Sequence, residues 1–386
     1  MSNNSLNKES SQRQTGTYQK LGELEFFIPF ALPPKNPSFN FSSDLIELYG
    51  QAMQALGQLN EMADRLPNIE RFIKAYCLKE ALLSSAIEGI HTTMVDVFTN
   101  EISAASSNTK NSKQTQLVLN YGKALDAALE LVQKKKFPIV SRVILAAHKV
   151  LMSGGDGQKA NPGNYRKQPV KVGKLTPPPA NKVEELIADL EKFINDNDSL
   201  PALVKAGLAH VQFETINPFL DGNGRIGRLL IVLMLIQEKV IHAPILYPST
   251  YFKKHHAKYY QKLDAVRTKG DFEGWTKFYL KAIKESAEDA CTKAKEIEKL
   301  EKQLGKKITT SKSFNLPESQ ANQALVTLFQ FPVISVTEMQ NSLDVSYNTA
   351  NSIIQKLVKL EILKLETKQK RNKLFRFDSY LNLLEK

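Results

Sequence analysis

The stretch ETINPFLDGNGRIGRLL, from Glu214 to Leu230, places a glycine-rich turn directly before a segment that is apolar on all faces. Such a segment predicts a central buried helix. The unpaired N–H groups and the dipole of a helix N-terminus attract anions. Gly222 and Gly224 let the backbone approach phosphate oxygens without a Cβ in the way. Arg225 and Arg228, three residues apart on one face, can donate to further oxygens, so the stretch predicts a phosphate site.

Other phosphate-binding motifs fit this stretch poorly. Gly222, Gly224 and Gly227 match GxGxxG, but the preceding INPFLD is no β-strand and no βαβ unit surrounds it. The sequence contains no Walker P-loop. Asp221, just ahead of the turn, is a hard oxygen ligand that suits a phosphate-bound Mg²⁺. The plain alternative is an ordinary helix N-terminus, which leaves both arginines and the acid unexplained.

Composition is typical of a globular protein in a reducing compartment. Of 386 residues, 42% are hydrophobic and 24% are charged. The two cysteines, Cys77 and Cys291, cannot form a disulfide framework. No segment resembles a signal peptide or is long enough to span a bilayer, so we expect a cytoplasmic protein without a membrane partner, with signal-less export left open. The net charge of +12 fits either a polyanion partner or a lysine-rich proteome.

Breaks in the helical periodicity divide the chain into five segments. Residues 1–18 are polar and aperiodic, which predicts disorder. Residues 19–120 begin with a proline-rich extended arm and continue in helices. Residues 121–290 form a helical core, in which a Gly- and Pro-rich segment around PVKVG predicts a short hairpin. Residues 291–315 predict a helical linker, and residues 316–386 a separate small domain.

The stretch INPFLDGNGRIGR resembles the motif of the Fic family, HPFxxGNGRxxR, at every fixed position except the first. The segments HVQF and YFKKHHAKYY are also similar to Fic sequences, so the resemblance covers Ser43 to Lys284. Fic proteins are all-α bundles with a short β-hairpin flap, and most transfer AMP from ATP to a Ser, Thr or Tyr hydroxyl of another protein. The resemblance therefore implies this fold, ATP as substrate, Mg²⁺ as cofactor and an unidentified target protein. Homodimers, common in such proteins, stay open.

The same resemblance implies roles for individual residues. Asp221 would position Mg²⁺, Phe219 would anchor the loop in the core, and Tyr260 would border the adenine. The flap would align the backbone of the target by strand addition. The flap residues are Pro169, Val170, Lys171 and Val172. The residues implied for ATP binding are Glu88, Asn217, Gly222, Asn223, Gly224, Arg225, Gly227, Arg228 and Tyr260.

Asn217 stands where Fic proteins have the histidine that takes the proton from the target hydroxyl. A carboxamide has no usable basicity, and losing a general base lowers a rate by roughly 10²- to 10⁴-fold. We therefore expect a protein that binds ATP and transfers AMP poorly. His210, two turns earlier, suits a structural role, while His255 and His256 could touch only the pocket rim. Asn217 is either an engineered substitution, favoured because the rest of the motif is intact, or natural drift toward a binding role.

A second pattern lies upstream, in LLSSAIEGIHTT. Ser84, Glu88 and Gly89 resemble the (S/T)xxxE(G/N) inhibitory helix of Fic proteins, in the class that carries it ahead of the core. Glu88 would form a bidentate pair with Arg228 and occupy the place of the γ-phosphate. ATP would then bind with its α-phosphorus misaligned for attack. In some relatives this glutamate also removes AMP from targets, so a dual activity stays open.

The segment ISVTEMQNSLDVSYNTANSIIQKLVKLEILK predicts two helices joined by a short turn, followed by two strands around a basic tip. This order is typical of a winged helix-turn-helix domain. Asn348 would face outward on the second helix and contact base edges or phosphates, and the tip would neutralise DNA backbone charge. The tip residues are Lys368, Lys370, Arg371 and Lys373. Because the same fold also docks proteins, DNA binding and protein docking both stay open.

Two functions follow from these patterns. The first is an enzyme, a self-inhibited protein adenylyltransferase whose base is replaced. The second is a binding module, a catalytically inert regulator that senses ATP and acts on DNA through the winged helix. The sequence identifies neither the target protein nor the modified side chain.

Overall fold

A computed structural model of the chain describes residues 13–66, 68–106, 113–196, 200–311, 318–366 and 373–385. Most of these residues are helical, as the sequence predicted, and two small antiparallel sheets complete the fold. The strands are β1 (Gly16–Leu21), β2 (Leu24–Pro29), β3 (Val333–Ser335), β4 (Lys364–Leu365) and β5 (Leu374–Arg376). The helices are α1 (Ser43–Arg65), α2 (Ile69–Ile87), α3 (Met94–Ser106), α4 (Lys113–Leu129), α5 (Ser141–Leu151), α6 (Val183–Asn195), α7 (Ala202–Ile216), α8 (Asn223–Gln237), α9 (Ser249–Lys254), α10 (His256–Lys269), α11 (Phe272–Thr310), α12 (Glu318–Gln330), α13 (Val336–Leu343), α14 (Tyr347–Lys359) and α15 (Asp378–Glu385).

Helix α8 is the centre of the bundle, which confirms the prediction from its uniformly apolar sequence. Every residue from Asn223 to Ile236 is buried, including the motif arginines. Helix α7 packs beside it and is also buried over nearly its whole length, while α2, α4 and α5 cover the other sides. The turn between α7 and α8 is therefore held on both sides by the core. Among the described residues, none of the helices has both the length and the apolar character that crossing a bilayer requires.

The prediction of disorder for residues 1–18 is wrong for residues 13–18. Strand β1 pairs antiparallel with β2 in a hairpin, and the extended arm predicted from the prolines contributes its second strand. Arg13 is buried, donating two hydrogen bonds to Glu273 (2.8 and 2.9 Å) and one to the Gly270 carbonyl oxygen (2.9 Å). The polar, aperiodic segment gave no local signal for this anchoring, because Gly270 and Glu273 lie more than 250 residues from Arg13. Residues 1–12 lie outside the described residues.

The Gly- and Pro-rich segment contains the short hairpin that the sequence predicted, shifted slightly toward the C-terminus. Val172 and Leu175 exchange two backbone hydrogen bonds of 2.9 Å around a turn at Gly173, which has φ of 58°. The predicted flap residues Pro169 to Lys171 lead into this turn. The backbone N–H of Phe27 in β2 donates to the Thr176 carbonyl oxygen (2.9 Å), so the N-terminal hairpin adjoins the flap.

The C-terminal unit contains α12 to α15 and a three-stranded sheet of order β3-β5-β4. The apolar residues on one face of its two central helices are buried: Met339, Leu343, Ala350, Ile353, Ile354 and Leu357. Asn348 and Lys373 are exposed. Ser346 caps α14, accepting from the Thr349 N–H (3.2 Å). Lys368, Lys370 and Arg371 of the predicted tip lie outside the described residues.

This C-terminal unit packs against the helical core. The predicted linker, residues 291–315, is in its described part mainly the continuation of α11, which runs unbroken to Thr310. Helices α12 and α15 pack on α11, and α15 also contacts α2 and α3. The apolar side chains of the unit belong to the same buried cluster as those of the core. The unit that the sequence set apart is therefore in direct contact with the helix that carries Ser84.

We expect Arg13→Ala to lower the free energy of unfolding by about 2–3 kcal/mol, because it leaves the half-buried Glu273 carboxylate without its partner. Urea denaturation measures this change. Arg65→Ala is the matched control, since Arg65 pairs with Glu61 in the open, with side chains 77% and 59% exposed. The control should lose less than about 1 kcal/mol. Equal losses in the two variants would contradict the anchoring role of Arg13.

Candidate active site

The turn between α7 and α8 is fixed by its own side chains. Asn217 ends α7 in a left-handed conformation, with φ of 49° and ψ of 65°. Asn223 donates from Nδ2 to Asn217 Oδ1 (3.0 Å) and to the Phe219 carbonyl oxygen (2.9 Å), and its Oδ1 accepts from the Phe219 N–H (2.8 Å). Asparagine and histidine are among the few residues that tolerate this backbone region. Position 217 therefore accommodates either side chain without a change of fold.

His148, which the sequence analysis missed, supports the turn from α5. Its ring stacks on Phe219 at a centroid distance of 3.7 Å. Nδ1 accepts from the Gly163 N–H (3.0 Å), so Nε2 carries the hydrogen and donates to the Asp221 carbonyl oxygen (3.1 Å). Burial lowers the pKa of His148 to about 4, which keeps the ring neutral. Its role depends on partners 15 and 73 residues away, which local patterns do not reveal.

Arg166 joins the turn to the flap segment, and it too was missed. Its Nε donates to the Asn217 carbonyl oxygen (2.8 Å) and its Nη2 to that of Pro178 (2.6 Å). Its own N–H donates to the Pro218 carbonyl oxygen (2.9 Å). Burial lowers the pKa of Arg166 to about 10, which leaves the guanidinium charged at neutral pH. The backbone at position 217 is thus held from outside the motif.

Arg225 has the features of a side chain built for an anion. It is fully buried, and its Nε and Nη1 have no hydrogen-bond partner among the described residues. Its Nη2 lies 3.5 Å from Met152 Sδ and 3.6 Å from Asp221 Oδ1. Burial lowers the pKa of Arg225, because a buried charge without a close partner is unfavourable. Phosphate oxygens at the N-terminus of α8 would satisfy these donors.

Asp221 is the only predicted metal ligand, and its side chain is 62% exposed beside the turn. Its Oδ1 accepts from the Gly222 N–H (2.6 Å). No group of three candidate metal ligands occurs in the part of the chain that the structure describes. Mg²⁺ is commonly held by one or two carboxylates together with substrate phosphates. A single carboxylate next to a phosphate site fits that mode of binding.

Glu88 lies at the N-terminus of α8, on top of Arg228. Its Oε1 accepts from Arg228 Nη2 (2.7 Å), and a Cβ added at Gly224 would overlap the same oxygen. Burial alone would lower the pKa of Arg228, but the Glu88 carboxylate raises it above its usual value. The predicted bidentate pair is wrong, because Arg228 bonds to Glu88 through Nη2 alone. Ser84 binds the same guanidinium: Nε donates to its Oγ (2.8 Å) and Nη2 also to its carbonyl oxygen (3.0 Å).

The end of α2 is held in place by several backbone contacts. Gly89 adopts a left-handed conformation, with φ of 80°, and the Ile90 N–H donates back to the Ser85 carbonyl oxygen (3.0 Å). Lys253 Nζ donates to the Ala86 carbonyl oxygen (2.9 Å). His256 Nε2 lies 3.4 Å from the carbonyl oxygen of Ile87. Cations and donors favour a helix C-terminus, so these side chains position Glu88 indirectly.

Tyr260 and Gly227 were both predicted to contact ATP, and their surroundings differ. Tyr260 is 36% exposed, and burial together with the Glu88 charge raises its pKa. Its ring lies 4.9 Å from that of His256, whose Nε2 is 3.4 Å from the Ile87 carbonyl oxygen, and its place beside the adenine stays a prediction. A Cβ at Gly227 would meet Glu214 Oε1 and the ring of His210, so this glycine allows α7 and α8 to pack closely. Its contact with ATP stays a prediction.

Two ionisable side chains of α7 face this close contact. His210 is fully buried, with Nε2 2.8 Å from the Tyr259 hydroxyl, and burial lowers its pKa to about 3. This agrees with the predicted structural role. Glu214 is half-buried, but its Oε1 is buried and has no hydrogen-bond partner among the described residues. Burial raises the pKa of Glu214 to about 7.

Comparison with known proteins gives a consistent assignment. Residues 46–130 match the Fic/DOC family N-terminal region, and residues 138–235 match the Fic/DOC family. The protein adenylyltransferase fic-1 of Caenorhabditis briggsae is 29% identical over 199 residues, which is 46% of this chain and 38% of that protein. The protein adenylyltransferase Fic of Drosophila mojavensis is 26% identical over 276 residues, 67% of this chain and 52% of that protein. The chain thus spans well under two thirds of these relatives.

Solved structures show the same fold. A Fic family protein from Desulfovibrio desulfuricans superposes with a TM-score of 0.57 over 88% of this chain and 97% of that one, at 20% identity. A Fic domain containing signaling protein from Bacteroides thetaiotaomicron superposes with a TM-score of 0.51 over 66% of this chain and 97% of that one, at 19% identity.

We expect the raised pKa of Glu214 to make stability depend on pH. Between its ordinary value of 4.5 and about 7, the unfolded chain ionises this carboxyl while the folded chain keeps the proton. Stability therefore falls as pH rises through this window, and Glu214→Gln should reduce the fall by about 2 kcal/mol. Urea denaturation at both ends of the window measures it. The exposed Glu23→Gln should leave the fall unchanged, and an unchanged fall in Glu214→Gln would contradict the assignment.

Proposed function

We propose that this chain, which carries both domains of the Fic/DOC family, is a protein adenylyltransferase that binds ATP and lacks its general base. The observation that supports this proposal most strongly is the buried guanidinium of Arg225, whose Nε and Nη1 have no partner among the described residues. This charge lies at the N-terminus of the buried helix α8, where the dipole also favours an anion. A triphosphate would accept hydrogen bonds from Arg225 and would also place negative charge at the N-terminus of α8.

The Glu88 carboxylate supports the placement of the phosphates. It is itself an anion, and it lies against Gly224 and Arg228 at the start of α8. A γ-phosphate would bind the same donors, because carboxylate and phosphate oxygens both accept from guanidinium groups. The α- and β-phosphates would then contact Gly222, Asn223 and Arg225. Asp221 would hold Mg²⁺ against the phosphates, and the ion would neutralise part of their charge.

The transfer reaction needs a proton acceptor that position 217 lacks. A target hydroxyl oxygen attacks the α-phosphorus of ATP, a new O–P bond forms, pyrophosphate leaves, and the hydroxyl proton must go to a base. The Asn217 carboxamide cannot take it, and its Oδ1 already accepts from Asn223. Arg166 bonds the backbone carbonyl oxygen at position 217, and Asn223 bonds the backbone of Phe219, so these two supports of the turn do not depend on the side chain being an asparagine. The present form would therefore bind ATP while transferring AMP slowly.

A catalytically inert regulator remains the alternative, because the hydrogen bond between Asn217 and Asn223 makes a complete turn without a histidine. In that case the exposed Asn348 and Lys373 would serve binding to DNA or protein. Removal of AMP by Glu88-activated water is a further alternative for the enzyme. Dimerisation and a cytoplasmic location stay predictions.

We expect Asn217→His to raise AMP transfer at least about 100-fold, because it restores a base that titrates near neutral pH. Radiolabelled ATP and a lysate report the transfer, and calorimetry should give a similar ATP affinity for both forms. Asn217→Ala is the matched control and should stay as slow as the parent. If the histidine form labels no protein, including itself, while ATP still binds, the inert regulator is the correct reading.

We expect Glu88→Gly in the Asn217→His background to raise AMP transfer further, by about tenfold, because Arg228 becomes free for the γ-phosphate. The same substitution should tighten ATP binding. Glu285→Gly, at a glutamate of α11 away from this contact, is the control for a lost glutamate. An unchanged rate in the Glu88 variant would show that the carboxylate is not inhibitory.

A further inference from the structure

We propose that the C-terminal unit sets the strength of the contact between Glu88 and Arg228, and that it acts through helix α2. Arg71, near the start of α2, is then a positioning residue for the inhibitory glutamate. This inference rests on the proposed function, because it assigns a means of regulation to the same active site. No sequence pattern indicated a connection between the C-terminal unit and helix α2.

Helix α2 spans the distance between the two regions. It has 19 residues and is therefore about 28 Å long. Its first turns contact the C-terminal unit, and its last turn carries Ser84 and the C-cap Glu88. A helix of this length moves largely as a stiff body, so a displacement at one end is passed to the other.

Arg71 is the main polar contact at the first end. It donates two hydrogen bonds to Glu301 of α11, from Nη1 to Oε1 (3.3 Å) and from Nη2 to Oε2 (2.7 Å). Its guanidinium carbon lies 4.7 Å from the ring centroid of Phe329 in α12. One turn further on, Lys74 Nζ lies 5.5 Å from the ring of Phe331. Arg71 therefore ties α2 to the C-terminal unit and to the long helix that leads to it.

An open cleft of about 340 Å³ lies between α2, α3 and the C-terminal unit. Its lining includes Asn68, Arg71, Lys74, Phe98, Phe329 and Tyr380, of which Asn68 and Lys74 are exposed. Part of the contact between α2 and the C-terminal unit is therefore made by side chains that reach solvent.

The buried face of α2 is only partly bonded to its surroundings. The Tyr76 hydroxyl, Glu80 Oε2 and Ser85 Oγ are buried and have no hydrogen-bond partner among the described residues, while Glu80 Oε1 accepts from Ser249 (2.5 Å) and Tyr121 (3.3 Å). At the far end, Arg228 donates to Glu88 (2.7 Å) and twice to Ser84 (2.8 and 3.0 Å), so a shift of α2 weakens these contacts together. Helix shifts of about 1–2 Å are typical of switching proteins and are enough to break hydrogen bonds of this length.

A partner that engages the C-terminal unit would therefore change AMP transfer without touching the active site. When the unit is held against Arg71, α2 keeps Glu88 on Arg228, and transfer is slow. When the unit is drawn away, Glu88 leaves Arg228, and the γ-phosphate site opens.

The test uses the full chain with Asn217→His. We expect Arg71→Ala to raise AMP transfer about fivefold or more, the lower range of typical coupling between sites. The charge-swapped pair Arg71→Glu with Glu301→Arg should return the rate toward that of the parent, which separates a lost contact from general damage. Arg65→Ala, which removes an exposed ion pair at the end of α1, is the matched control and should leave the rate unchanged.

A second arm isolates the route through Glu88. In the Asn217→His, Glu88→Gly background, Arg71→Ala should add nothing, because the contact that it weakens is already gone. An unchanged rate in the first background, or an equal rise in both, would overturn the inference. If the Glu88→Gly form itself transfers no AMP, the proposed function fails instead. Hydrogen exchange then still tests the coupling, since Arg71→Ala should speed exchange at the backbone of residues 84–89, and unchanged exchange would refute it.

Discussion

The structure depends on a concentration of positive charge buried at one helix end. Helix α8 lies in the centre of the bundle, so its N-terminal N–H groups, Arg225 and Arg228 are withdrawn from water together. Such charge is tolerated in a protein interior only with an anion nearby. In this structure the Glu88 carboxylate, delivered from a different helix, bonds to Arg228, and the Asp221 carboxylate lies 3.6 Å from Arg225. A carboxylate side chain and the proposed phosphates would therefore compensate the same buried charge.

Two separate sets of contacts hold the turn between α7 and α8 and the Glu88 carboxylate in place. The turn from Asn217 to Gly222 is fixed by Asn223, His148 and Arg166, which bind its backbone rather than a ligand. Glu88 is fixed by the end of α2, with Lys253 supporting the helix carbonyls. Because these sets share no residue, loss of the Glu88 contact would leave the contacts of the turn intact. The proposed exchange of a side chain for a nucleotide at this site needs that independence.

Sequence reasoning succeeded where the chemistry is local and failed where it is not. The residues from Asn217 to Arg228 are within 12 positions of one another, and the uniformly apolar pattern after them predicted the buried helix correctly. His148, Arg166 and Arg13 act on partners far along the chain, so no spacing pattern marks them. Gly227 fitted the motif by position, yet its role is to admit Glu214 and His210 at a helix contact. Only the fold reveals which side of α8 a motif residue faces.

The N-terminal hairpin has a practical consequence for how the protein is dissected. Phe27 of β2 is bonded to Thr176 next to the flap, Thr15 donates to the Arg267 carbonyl oxygen at the end of α10, and Gln212 of α7 donates to Phe30. The family match begins only at residue 46, downstream of all these strand residues. A recombinant fragment trimmed to the matched boundaries would lose the hairpin that is bonded to the chain beside the flap. Measurements made on such a fragment would describe a flap without this support.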